Sequence, residues 1–132
     1  MKIIGPHSDA GPASHQLPYR SKAERSIADM LNSYGIPFYY KQPTLVVDNG
    51  RRCIEYVDFF LPTYAGLSLD YLADPRGDTC KRKMRIYSEN QVPAALLTKR
   101  DISGRDWRQR LYRRLEQMYH EGLAYRPRGK YR

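Results

Sequence analysis

Cys53–Asp74, CIEYVDFFLPTYAGLSLDYLAD, is the stretch on which the fold turns, because it sets Asp58 and Asp70 inside two otherwise apolar runs. Ile54 to Leu61 is rich in β-branched and aromatic residues and closes at Pro62. Leu67 to Leu72 follows the turn Thr63-Tyr64-Ala65-Gly66, so the two runs read as an antiparallel hairpin. Strict alternation would put Asp58 on the side of Tyr56 and Phe60, and Asp70 on the side of Ser68 and Leu72. Burying ionised carboxylates without compensation is costly, so two in adjacent core strands imply a bound cation or a shared proton. The alternative is that one or both acids lie on a solvated face, where most acids are found.

The remainder of the chain narrows the choice. Its 132 residues are enough for one domain with its own core, and the 41% hydrophobic and 28% charged content is ordinary for a globular chain. No apolar run has the length of a membrane span, which excludes an embedded protein. Met1-Lys2-Ile3-Ile4-Gly5 breaks at Pro6 before a signal-peptide core could develop, so the expected compartment is the cytoplasm. Cys53 and Cys80 lack CxxC spacing and His7, His15 and His120 are scattered, which leaves no zinc signature. Lys and Arg number 23 against 14 Asp and Glu, a net charge of +9 that points to a polyanionic partner. Twelve tyrosines, several beside basic residues, could stack on bases, although most are expected to pack the core and its boundary.

Outward from the hairpin, residues 1–18 hold Pro6, Gly11, Pro12 and Pro18 and read as an extended arm. The domain follows over residues 19–121, and a basic tail over 122–132. Ser21-Lys22-Ala23-Glu24 has the capping-box pattern, and the helix it opens carries Ala23, Ile27, Met30, Leu31 and Tyr34 inward until Gly35. Glu24 sits at the edge of that stripe, where it serves either as the cap or as a site residue. Phe38 to Lys41 and Thr44 to Val47 read as strand segments interrupted by Pro43, and Asp48-Asn49-Gly50 turns the chain into Arg52 to Leu61. Asp78 or Thr79 would cap a second helix reaching about Asn90, with Cys80, Met84 and Tyr87 buried. Lys83 falls on the flank of that stripe, while Lys81 and Arg85 point away. Val92 to Thr98 reads as a doubly covered, parallel strand, with the second helix as its crossover. Ser103 would cap a final helix burying Trp107, Leu111, Leu115 and Met118, with Arg110, Arg113, Arg114 and Gln117 on an outward arc. Gly122 onward supplies Arg126, Arg128 and Lys130 as further cations.

This order, helix, three-strand meander, helix, strand, helix, with acids at Glu24, Asp58 and Asp70, resembles the PD-(D/E)xK nuclease superfamily over roughly Tyr19 to Met118. The resemblance implies an α/β (α+β) fold of αβββαβα order, a restriction-endonuclease-like core with a mixed central sheet flanked by helices. The family's Pro-Asp maps onto Val57-Asp58 and its (D/E)xK onto Asp70-Tyr71-Leu72, so Leu72 stands where the lysine should be. Some members carry that lysine on the following helix, and Lys83-Met84-Arg85-Ile86-Tyr87 looks like their K-x-x-x-Y, with Lys81 and Lys41 as the alternatives to Lys83.

What the resemblance implies is a Mg²⁺-dependent DNA endonuclease, with Mn²⁺ as a substitute, acting on branched or otherwise structured DNA. Asp58 and Asp70 would hold the ion, Glu24 a bound water or second ion, and Lys83 would orient and help deprotonate the nucleophile. Arg20, Lys22, Arg110, Arg113, Arg114, Arg126, Arg128 and Lys130 would meet the phosphates, and a homodimer or a larger partner protein is expected. Leu72 motivates a second expectation, a nuclease-fold protein that binds nucleic acid without cutting it. A third is a basic RNA-associated protein whose strand acids are surface residues.

Overall fold

A computed structural model describes residues 19–125, with side chains through Glu121. The expected arm over 1–18 and the cations Arg126, Arg128 and Lys130 lie outside the described residues. Helix α1 (Lys22–Ser33) begins where the Ser21 side chain accepts the Glu24 N–H, and it ends at Tyr34 before Gly35, whose φ of +67° suits a residue without a Cβ. Strands β1 (Tyr39–Asp48) and β2 (Arg51–Leu61) form a long antiparallel hairpin around Asn49 and Gly50. A short 3₁₀ turn at Pro62–Tyr64 returns the chain into β3 (Leu67–Tyr71), antiparallel to β2.

Helix α2 (Asp78–Glu89) then crosses over to β4 (Ala94–Leu97), which pairs parallel to β3. A parallel neighbour needs such a crossover because a tight turn can only reverse the chain. After a 3₁₀ turn at Lys99–Ile102, α3 (Trp107–Tyr125) completes a four-stranded mixed sheet in the order β1-β2-β3-β4, flanked by three helices. The fold is therefore α+β with the expected αβββαβα order. No helix among the described residues is long and apolar enough to cross a membrane.

The larger core joins Ile27 and Leu31 of α1 and Trp107, Leu111 and Leu115 of α3 to Phe59, Leu61, Leu69 and Leu97 of the sheet. A smaller one, beneath α2, joins Ile86 and Tyr87 to Val46 and Val57. Helices on both faces explain why Leu67, Ser68, Leu69 and Asp70 are all buried: β3 is an inner strand with no solvated side.

The two cores expose a reversal that alternation does not foresee. Val57 belongs to the core under α2, whereas Phe59, two residues on, belongs to the one under α1 and α3. On β1, Val46 and Tyr40 part in the same way. Both strands change face at one rung, Lys41 opposite Asp58, where the ladder omits a pair and resumes in unchanged register. Lys41 makes the reversal with φ at +55°, the left-handed region few non-glycine residues enter. Asp58 therefore does not simply share a side with Tyr56 and Phe60.

Other differences are local. β1 runs unbroken through Pro43, which an edge strand tolerates because its missing N–H would face away from the ladder. The Asn90 amide occupies the same edge, accepting from the Val47 N–H at 2.9 Å and donating to the Val47 carbonyl at 3.0 Å. Gly77, not Asp78 or Thr79, caps α2, and Asp78 falls in its first turn, where an acid suits the helix dipole. In α2 the buried residues are Cys80, Ile86 and Tyr87, and Met84 is exposed. Ser103 does not cap α3; its hydroxyl donates to the Lys99 carbonyl and closes the 3₁₀ turn instead. α3 continues past the expected boundary at Gly122.

Candidate active site

Phe59 pairs with Leu69 in the β2–β3 ladder, which extends no further along the hairpin. The next rung would set Asp58 opposite Asp70, and there the side chains replace the backbone pairing. The Asp58 N–H donates to Asp70 Oδ1 at 2.6 Å, and the Tyr71 N–H donates to Asp58 Oδ2 at 2.9 Å. Each carboxylate thus reaches across to the other's strand, and the two converge on one opening in the sheet. The remaining oxygens face cations: Asp58 Oδ1 accepts from the Lys41 ammonium, and Asp70 Oδ2 accepts from Lys83 at 3.0 Å and from the Tyr87 hydroxyl.

Two further acids extend the line. Lys41 Nζ stands 3.6 Å from Glu24 Oε2, and Glu24 also receives the Tyr40 hydroxyl, the Arg20 N–H and the Arg20 guanidinium. The Glu24 side chain therefore turns into the site rather than back to the Ser21 N–H as a capping box requires. At the other end, Lys83 Nζ stands 3.2 Å from Glu55 Oε2, and Arg82 donates to Glu55 Oε1 at 3.0 Å. A continuous path of contacts, Glu24, Lys41, Asp58, Asp70, Lys83, Glu55, thus runs from α1 through the sheet to α2.

Among the described residues the buried carboxylates are Glu24, Glu55, Asp58 and Asp70, at 1, 7, 3 and 0% exposure, and all four belong to this path. An isolated buried carboxylate would lose several kcal/mol of solvation, so their gathering around two lysines is what makes burial tolerable. It also rules against the expectation that the strand acids are surface residues.

Burial, and then the charge of Asp58, push the Asp70 carboxyl above its ordinary range, against the opposing influence of Lys83, Tyr87 and the Asp58 N–H. Burial favours a neutral Lys83 amine, but the charge and hydrogen bond of Asp70, with those of Glu55, outweigh it and leave the amine above its ordinary value. Burial and the Asp70 charge likewise raise the Tyr87 hydroxyl, which stays protonated and donates. Because the folded state holds the Asp70 proton more tightly than the unfolded chain does, stability falls as pH rises from the ordinary value of 3.8 through the raised one. Denaturant midpoints measured across that interval should show this decline, and Asp70→Asn should remove its share of it.

Mg²⁺ takes oxygen ligands, commonly one or two protein carboxylates, and keeps several waters. Asp58 and Asp70 supply hard donors at a shared opening, and the Lys41 ammonium against Asp58 Oδ1 marks where a cation is stabilised. Among the described residues no three His, Cys, Asp or Glu side chains gather into one ligand set. Asp58 and Asp70 are thus the pair of carboxylates that would hold such an ion, the rest of its shell being water.

The fold brings together Glu24, Asp58, Asp70 and Lys83, all singled out from sequence, while Lys81 is exposed on α2. Leu72 is buried, and its N–H donates to the Leu97 carbonyl. Glu55 was missed, although it lies in the same apolar run as Asp58, while Tyr87, named with Lys83 in the K-x-x-x-Y pattern, donates to Asp70 and accepts from Lys83. The outward arc of α3 is less purely cationic than its sequence suggests, since Arg110 pairs with Asp106 at 2.7 Å and Arg114 with Asp101 at 3.5 Å. Arg100, Arg110 and Arg114 line an open pocket together with Asp101 and Leu111. Arg20, Lys22 and Arg113 are exposed. No family model, curated protein or solved structure matches the chain.

Proposed function

We propose that this protein is a metal-dependent DNA endonuclease of the PD-(D/E)xK kind, acting in the cytoplasm. The observation that carries the reading is that every described buried carboxylate lies on one path through the opening between β2 and β3, with a lysine on each side. A bound magnesium ion would supply an activated water and polarise a phosphoryl oxygen. Asp58 and Asp70 would hold that ion. Lys83, held over Asp70, would orient the nucleophile and donate its N–H and charge toward the scissile phosphate. Tyr87 and Glu55 keep its amine over Asp70. The net charge of +9, with Arg100, Arg110 and Arg114 grouped on one surface, suits a phosphate backbone.

The test is incubation of the purified protein with plasmid and with branched DNA in Mg²⁺ or Mn²⁺. Nicking or cutting that chelation stops is the expected result, and an intact substrate in both metals would overturn the reading.

One feature favours a second reading, a nuclease-fold protein that binds nucleic acid without cutting it. Leu72 occupies the usual lysine position, and all four oxygens of Asp58 and Asp70 already have donors. That protein would bind DNA with a steep salt dependence, and its melting temperature would not respond to Mg²⁺ or Mn²⁺.

A further inference from the structure

Of the two lysines in the site, Lys83 rises from a regular helix and is well enclosed, with 13% of its side chain exposed. Lys41 differs on both counts. Its φ of +55° and the omitted rung opposite Asp58 turn the side chain toward the carboxylates, while 30% of it remains exposed. Its ammonium touches Asp58 Oδ1 and stands 3.6 Å from Glu24 Oε2, so it spans two buried acids, of which Glu24 also has the Arg20 guanidinium at 3.2 Å. A hard cation drawing on Asp58 from the side of Glu24 would meet that ammonium first. Like charges in so confined a space repel strongly, and the solvent-facing part of Lys41 offers it a way out.

We infer that Lys41 is a built-in counter-ion of the candidate metal site, competing with the divalent cation for Asp58 and Glu24. The inference rests on the cation-binding part of the proposed function and not on cleavage. Lys41 is a positioning residue: it keeps the carboxylates gathered, and it sets the affinity for metal by having to be displaced toward solvent before the ion is fully engaged.

The test is calorimetric titration of Mn²⁺ into the DNA-free protein, alongside thermal melting. Lys41→Met removes the charge and keeps the length of the side chain. It should lower the metal-free melting temperature and tighten Mn²⁺ binding about tenfold or more. Lys41→Arg, which restores the charge, should return the affinity to that of the parent. Should Lys41→Met fail to fold, Lys41→Asn is read in the same way, because asparagine accepts a left-handed backbone. Unchanged or weaker Mn²⁺ binding in the uncharged variant overturns the inference, as does the absence of Mn²⁺ binding by parent and variants alike. Tightened binding with no DNA cut by any form would sustain the role of Lys41 while removing the nuclease reading.

Discussion

Asp70→Asn and Asp58→Asn should each lower the rate of Mg²⁺-dependent DNA cleavage by about 10²–10³ or more, the usual consequence of removing a group that stabilises developing charge. Asparagine is nearly isosteric with aspartate, but its NH2 cannot accept from Lys41 or Lys83, so both variants should also lose stability and are compared at a temperature where they remain folded. The amide at position 70 can still accept the Asp58 N–H through its carbonyl, and the same holds at position 58 for the Tyr71 N–H. What disappears is the negative charge that holds a hard cation. DNA affinity should be retained, because the grouped cations at Arg100, Arg110 and Arg114 are untouched. Gel-resolved cleavage rates beside binding isotherms at one salt concentration check the expectation. Both variants cutting at the parent's rate would remove these aspartates from the chemistry.

Lys83→Met should be the most destabilising exchange in the network. It leaves the fully buried Asp70 with only Tyr87 and the Asp58 N–H as donors, and it strips Glu55 of one of two cations. Removing one member of a buried ion pair costs about 3–5 kcal/mol, because the other is left charged and dry. Adding Asp70→Leu should recover much of that loss, since an apolar pair of similar volume carries no charge to desolvate. Urea unfolding of the two single variants and the double variant measures the coupling, which should be strong and should favour the pair. A stable double variant that no longer cuts DNA would show that the network is kept for chemistry rather than for folding. Additive losses in the cycle would instead mean that Lys83 and Asp70 do not depend on each other.

The parts of this protein governed by local pattern could be read directly from the residues. Ser21 and Gly35 bracket α1 because a hydroxyl cap and a left-handed glycine act within a few residues of where they stand. The Asn49-Gly50 turn, the apolar run that became β4 and the β-branched and aromatic content of β2 likewise depend on near neighbours, so the element order followed from them. So did the choice of Asp58 and Asp70, since an acid inside an apolar strand stands out whatever it touches.

The tertiary structure alone decided how these acids are used. Nothing in Tyr40-Lys41-Gln42 announces a left-handed lysine, yet that lysine stands at the rung where both strands change face, and its amine reaches Asp58. Glu55 and Lys83 lie on separate elements, and they meet only because α2 packs against one face of the hairpin. Charge in a core is governed by what lies within a few ångströms in space. Sequence patterns report what lies within a few residues along the chain, and in this protein the two neighbourhoods part at the rung where Lys41 faces Asp58.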